Sequence, residues 1–201
     1  MSIRLANFLS KLFHPLFMPV LGMAIIFGSP TYFNYRYPFL LKVIVLGFLF
    51  LNTFIFPLIF SLLLKRRGAI KSLQMETCKE RKWPYFFTTI MYLTSVWLFV
   101  KLNISSIILH FTLGAAVSIF ILFLASFINF KISAHLLGLG GLIGMILVLS
   151  LKTQVDLTSI ISAFILISGF VGIARLKLKA HQPIEIYTGF LVGFLIQLDF
   201  V

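Results

Sequence analysis

The chain is poor in charge, poorer still in acid, and almost without cysteine. Its 201 residues hold five carboxylates (Glu76, Glu80, Asp156, Glu185, Asp199), four histidines (His14, His110, His135, His181) and the single Cys78. One cysteine excludes a disulfide framework within the chain and argues against a cysteine-based metal site. Charged residues are 11% of the total, whereas soluble domains carry roughly 25%; a soluble globular domain is excluded. Period-2 alternation in segments of about ten residues is missing too, which excludes a β-barrel. There is no long-period repeat, low-complexity tract or interdomain linker.

What is present is hydrocarbon: 60% of residues are hydrophobic and 24 are Phe. The composition implies an all-α, polytopic transmembrane helical bundle of about six or seven spans, a single integral-membrane domain over residues 1–201. After an amphipathic lead, Met1–His14, the expected spans are Pro15–Gly28, Phe39–Leu64, Pro84–Val100, Ser105–Phe127, Leu136–Leu151, Leu157–Ile173 and Ile186 to the C-terminus. Asn52 and Pro57 inside the second read as a packing residue and a kink. His110 inside the fourth reads as a buried hydrogen-bonding residue. Gly140-xxx-Gly144 and Gly189-xxx-Gly193 are small-xxx-small spacings suited to close helix packing.

The net charge of +12 is confined to short loops between spans. That pattern points to lipid head groups or an anionic substrate rather than nucleic acid. Counting spans places three polar segments on one face of the membrane: Lys65–Trp83, the run Asn129–His135, and Arg175–Glu185. The last is the most informative. A helix starting near Pro183 presents His181 at its N-terminus, and Glu185, four residues on, can reach back to one imidazole nitrogen and fix the tautomer.

These residues carry a resemblance. Arg175-Leu-Lys-Leu-Lys-Ala-His181-Gln-Pro-Ile-Glu185 resembles the third signature of the type 2 phosphatidic acid phosphatase superfamily, in which an Arg precedes a His by six residues and an Asp follows it by four. Ser133-Ala134-His135 is similar to the second signature, and Lys79-Glu80-Arg81-Lys82-Trp83-Pro84 to a degenerate form of the first. Glu185 stands where the superfamily has Asp, Ala174 replaces a Ser, and Ile132 and Ala134 replace the Pro and Gly flanking Ser133.

The resemblance implies a membrane phosphatase for a lipid phosphate or diphosphate monoester. His181 would be the nucleophile, oriented by Glu185, and His135 the general acid and base. Arg175, Ser133 and Arg81, with Lys79 or Lys82, would hold the phosphate. The chemistry suits the residue types, since phosphoryl transfer is mainly positioning and charge stabilisation and Arg offers a planar fork to phosphate oxygens. Cationic side chains would stand in for a metal, so neither a metal nor any other cofactor is expected.

Phosphatidate, phosphatidylglycerophosphate, a polyprenyl diphosphate and a lipid A phosphate all remain open as substrates. A catalytically inactive lipid-binding scaffold, or a transporter-like protein on the same bundle, is the alternative. The protein is expected in the cell membrane. The positive-inside rule puts the site face in the cytoplasm, because 13 of the 17 Lys and Arg residues fall on that face; the resemblance implies the periplasm or lumen.

Overall fold

The structure, a computed structural model, describes residues 1–201 and contains only helices. Seven helical segments are long and apolar enough to cross a membrane. Their outward surfaces are greasy: Phe39, Leu40, Trp83, Trp97, Leu166, Tyr187 and Leu191 are all exposed. An apolar exterior with backbone groups satisfied inside each helix is what hydrocarbon as a solvent requires. The chain is a multi-pass membrane protein.

The first apolar segment runs from Ile3 to Gly28, beginning ahead of Pro15. Helix α1 (Ile3–Leu12) is followed by a 3₁₀ turn at Pro15–Phe17 and by α2 (Met18–Gly28). The break falls at His14, which is extended at φ −65° and ψ 133°, because the residue before a proline is driven out of the helical region. A short α3 (Tyr32–Arg36) leads to the second span. That span is built from α4 (Phe39–Leu49), a π-helical turn at Phe50–Ile55 and α5 (Phe56–Arg66). Inside the turn, Asn52 donates to Thr94 Oγ1 (3.3 Å) and Ser95 Oγ (3.1 Å) on the third span, so its role is interhelical packing.

Helix α6 (Cys78–Lys101) starts six residues before the expected Pro84. The cause is a capping box: Thr77 Oγ1 accepts from the Glu80 N–H and Glu80 Oε2 accepts from the Thr77 N–H, which satisfies two otherwise orphaned donors. Lys79, Arg81 and Lys82 therefore sit on a helix, and the intervening loop shrinks to Arg67–Thr77. Helix α7 (Ser106–Ala125) returns as the other arm of a hairpin. Helix α9 (Thr158–Lys177) also outruns expectation, so Arg175 lies on its last turn, where a cation meets the negative end of the helix dipole.

Helix α8 (Ala134–Thr153) is the axis of the bundle, with Leu139, Leu142, Met145, Ile146 and Leu149 all buried to 1% exposure or less. Helix α10 (Pro183–Phe200) lies against it backbone to backbone. A Cβ at Gly193 would collide with the Leu137 carbonyl oxygen, and one at Gly140 with the Phe190 carbonyl oxygen. The two glycine spacings noted in the sequence thus face one another across a single interface.

Gly193→Ala should cost about 1–3 kcal/mol, the usual penalty of forcing atoms into a packed contact. Gly169→Ala, on a helix face with open space around it, should be neutral or stabilising, since Ala is the better helix former. Thermal unfolding of both variants in detergent checks the pair.

Candidate functional site

Three inter-span segments and the end of α1 meet around one cavity of about 470 Å³. Its lining includes the polar residues His14, Arg81, Tyr85, His135, Arg175 and His181 and the apolar residues Leu16, Phe54, Pro57 and Leu58. Residues as far apart in sequence as Asn7 and His181 are brought together at one end of the bundle.

His181 sits one residue ahead of the α10 N-cap, Gln182. Pro183 pre-sets the first turn, and Glu185 accepts from the Gln182 N–H at 3.0 Å. The same Glu185 oxygen, Oε2, is 2.8 Å from His181 Nδ1, and the Lys131 carbonyl oxygen is 3.2 Å from it. Both neighbours are acceptors, so Nδ1 must carry the proton. In the neutral ring Nε2 is then a bare lone pair, since both hydrogen bonds of the ring to protein run through Nδ1. Burial first, and then the charge of Arg81, lower the His181 pKa to about 4, against the opposing pull of Glu185. The ring is neutral at pH 7 and available as a nucleophile or base.

Arg81 is buried, at 6% exposure. Its Nε donates to the Met75 carbonyl (2.9 Å), and one Nη donates to Tyr85 Oη and to the Ile132 carbonyl (both 3.4 Å). These bonds tie the loop before α6 to the loop before α8 and leave the other Nη without a protein acceptor. The Arg175 side chain makes no hydrogen bond to protein, and its Nε is buried without a partner. Neither guanidinium lies within ion-pair distance of a carboxylate; the one acid–base contact of that kind is His181–Glu185, a hydrogen bond from the neutral ring. Two guanidiniums without a carboxylate partner thus line one cavity; such groups can take an anion.

His135, on the first turn of α8, places Nε2 3.0 Å from the Ser10 carbonyl oxygen. Nε2 therefore donates, and Nδ1 is left bare. Ser133 acts through its backbone: its N–H donates to the Glu185 carbonyl (3.0 Å), which locks the start of α8 to the start of α10. Its hydroxyl is fully buried with no partner and is not on the cavity wall.

Lys79 is exposed and does not line the cavity. Lys82 lies over the Phe127 ring, 4.1 Å from its centroid, and is likewise off the cavity. Both point away because α6 has already begun at Cys78, and the helical turn that aims Arg81 inward aims its neighbours outward. His110 is also off the cavity. No group of three His, Cys, Asp or Glu side chains lies together as a metal would need.

Among the polar cavity residues that sequence reasoning missed are His14, Ser10 and Tyr85. A signal for His14 existed: seven spans put the N-terminal segment on the same face as the other polar loops, and a His-Pro pair marks a break in a helix. Comparison of the chain with protein-family models, with curated proteins and with solved structures returns no match.

Nitrogen-edited NMR of ring-labelled protein should find His181 protonated on Nδ1 and titrating near pH 4 rather than 6.5. Arg81→Gln, by removing a positive neighbour, should raise that value. The folded pKa lies below the unfolded one, so the stability contributed by the neutral ring is complete above about pH 6.5 and is lost as pH falls through 4.

Proposed function

We propose that this protein is a metal-independent phosphatase of a lipid phosphate or diphosphate monoester, working through a phosphohistidine. The observation that carries this reading is the pair of guanidiniums, Arg175 and Arg81, unneutralised on the same cavity as a tautomer-fixed, neutral His181. A dianionic phosphate supplies the charge that this cavity lacks. The order and spacing of Arg81, Ser133, His135, Arg175, His181 and Glu185, similar to the three signatures of the type 2 phosphatidic acid phosphatase superfamily, support the same reading.

The chemistry follows from the donors and lone pairs. Arg175 and the free Nη of Arg81 hold phosphate oxygens and take up the charge that grows on them as phosphorus is attacked. His181 Nε2 forms the N–P bond while the P–O bond to the lipid alcohol breaks. Glu185 steadies the positive charge that then spreads over the ring. His135 Nδ1, bare in the free site, takes up a proton that arrives with the substrate and gives it to the departing alkoxide. Neutral again, Nδ1 takes a proton from water, and the hydroxide attacks phosphorus, breaking the N–P bond and releasing inorganic phosphate. Ser133 contributes by fixing α8 against α10 rather than by touching the substrate.

The cavity's second wall, made by Leu16, Phe54, Pro57 and Leu58, suits hydrocarbon next to the phosphate and favours an amphiphile over a soluble sugar phosphate. Phosphatidate, phosphatidylglycerophosphate, a polyprenyl diphosphate and a lipid A phosphate all fit that description.

Detergent-purified protein should release phosphate from at least one member of such a lipid panel with a chelator present. His181→Ala should fall to background. His135→Ala should lose on the order of 10²–10⁴ in rate, and Arg175→Gln on the order of 10²–10³. Loss of turnover with chelator, or full turnover in His181→Ala, overturns the scheme. Phosphate-lipid binding without any hydrolysis would leave the inactive scaffold as the better reading.

A further inference from the structure

The end of α1 supplies the cavity with a polar group that the scheme above does not use. His14 is extended because Pro15 follows it, and its Nδ1 accepts the Leu16 N–H at 3.3 Å. A nitrogen that accepts carries no hydrogen, so the neutral ring must bear its proton on Nε2. The ring plane is held from two sides by edge contacts, with Phe54 (centroids 6.1 Å apart, 78° between planes) and with His135 (5.9 Å, 72°). The one hydrogen bond of the His14 ring to protein is through Nδ1, so Nε2–H is left without an acceptor, and the residue lines the cavity.

The three imidazoles on the cavity are therefore not equivalent. His181 offers a lone pair from Nε2, because Glu185 and the Lys131 carbonyl hold Nδ1–H. His135 offers a lone pair from Nδ1, because the Ser10 carbonyl holds Nε2–H. His14 alone offers an N–H. The same helix end brings a second unsatisfied group: Ser10 is 7% exposed and lines the cavity, and its Oγ has no partner. Capping a 3₁₀ turn accounts for Nδ1 of His14, a task that Asn or Asp would do as well. It does not account for the unpartnered Nε2–H of a residue that lines the cavity.

We propose that His14 is a third substrate-contacting imidazole, donating from Nε2–H to a phosphate oxygen of the bound ligand. This rests on the reading of the cavity as a phosphate site and adds α1 to its wall. A neutral donor complements the two guanidiniums: it orients an oxygen without adding further charge to a crowded cationic pocket. The N-terminal helix is then part of the binding machinery rather than a lead-in to the first span.

Inorganic phosphate, titrated into the full-length protein in detergent with ring-¹⁵N histidine labelling, tests this without requiring turnover. With four histidines in the chain, the signals can be assigned by single substitutions. Wild-type His14 should be protonated on Nε2, and its resonance should move as phosphate binds. His14→Phe keeps the packing against Phe54 but removes the donor, and should weaken phosphate binding about tenfold, or about 1.4 kcal/mol. His14→Gln restores an N–H at similar reach and should recover most of the affinity.

The inference is overturned if wild-type His14 carries its proton on Nδ1, if its resonance ignores phosphate, if the protein binds no phosphate, or if His14→Phe binds it as well as wild type. Because the tautomer is read on unaltered protein, a misfolded variant does not rescue the idea. A protein that binds phosphate through His14 yet hydrolyses none of the lipids would remove the phosphatase reading and leave this one standing.

Discussion

The structure depends on the near-contact of two backbones. Helices α8 and α10 approach so closely that a methyl group at Gly140 or Gly193 would overlap a carbonyl oxygen of the other helix. In hydrocarbon there is no hydrophobic drive between helices, so this van der Waals seam is what holds them. The seam also sets the site. It carries the Ser133 N–H to the Glu185 carbonyl, and with it His135 on one helix and the His181–Glu185 pair on the other. A Cβ at Gly189 would stand 2.7 Å from the Ser133 carbonyl oxygen, so the close approach persists up to the residues that line the cavity.

Against that rigid seam the cavity is electrostatically incomplete. Arg81 has half of its fork committed to carbonyls and a phenol, and Arg175 has none of its donors committed to protein. The single carboxylate nearby is engaged by His181 and by the Gln182 N–H. Lys131, on the loop that lends its carbonyl to His181, has its pKa lowered, first by burial and then by Arg81. Positive groups held close together, partly out of water and without acids, are costly unless an anion enters. The cost is tolerated because the glycine seam and the capped helix starts fix the groups in place.

Much of this was legible in the chain. Glycines spaced by four announced a close helix pair, and an acid four residues after His181, with a proline between them, announced a carboxylate reaching back to the ring. Both are local rules with one geometric solution. The helix starts were less well read. Thr77 and Glu80 form a capping box that the sequence displays openly, but a run of lysines and arginines looked like a loop, so Lys79 and Lys82 were grouped with Arg81. Only the helical turn separates the inward guanidinium from its outward neighbours. His14 was overlooked because its importance comes from tertiary placement, the docking of α1 on α9 and the fold-back at Pro15, and no pattern within α1 specifies it.

The π-helical turn at Phe50–Ile55 has a consequence for how the cavity acquired its apolar wall. A π turn accommodates one residue more than the α-helix would, and each residue of an α-helix advances about 100° around the axis. Everything downstream in the second span is therefore rotated by that amount relative to an uninterrupted helix. Pro57, Leu58 and Ser61, which line the cavity, all lie beyond this phase shift. Losing a single residue from the turn would swing them toward lipid while leaving hydrophobicity, length and composition almost untouched. In this protein one amino acid of helical phase separates a walled cavity from an ordinary membrane anchor.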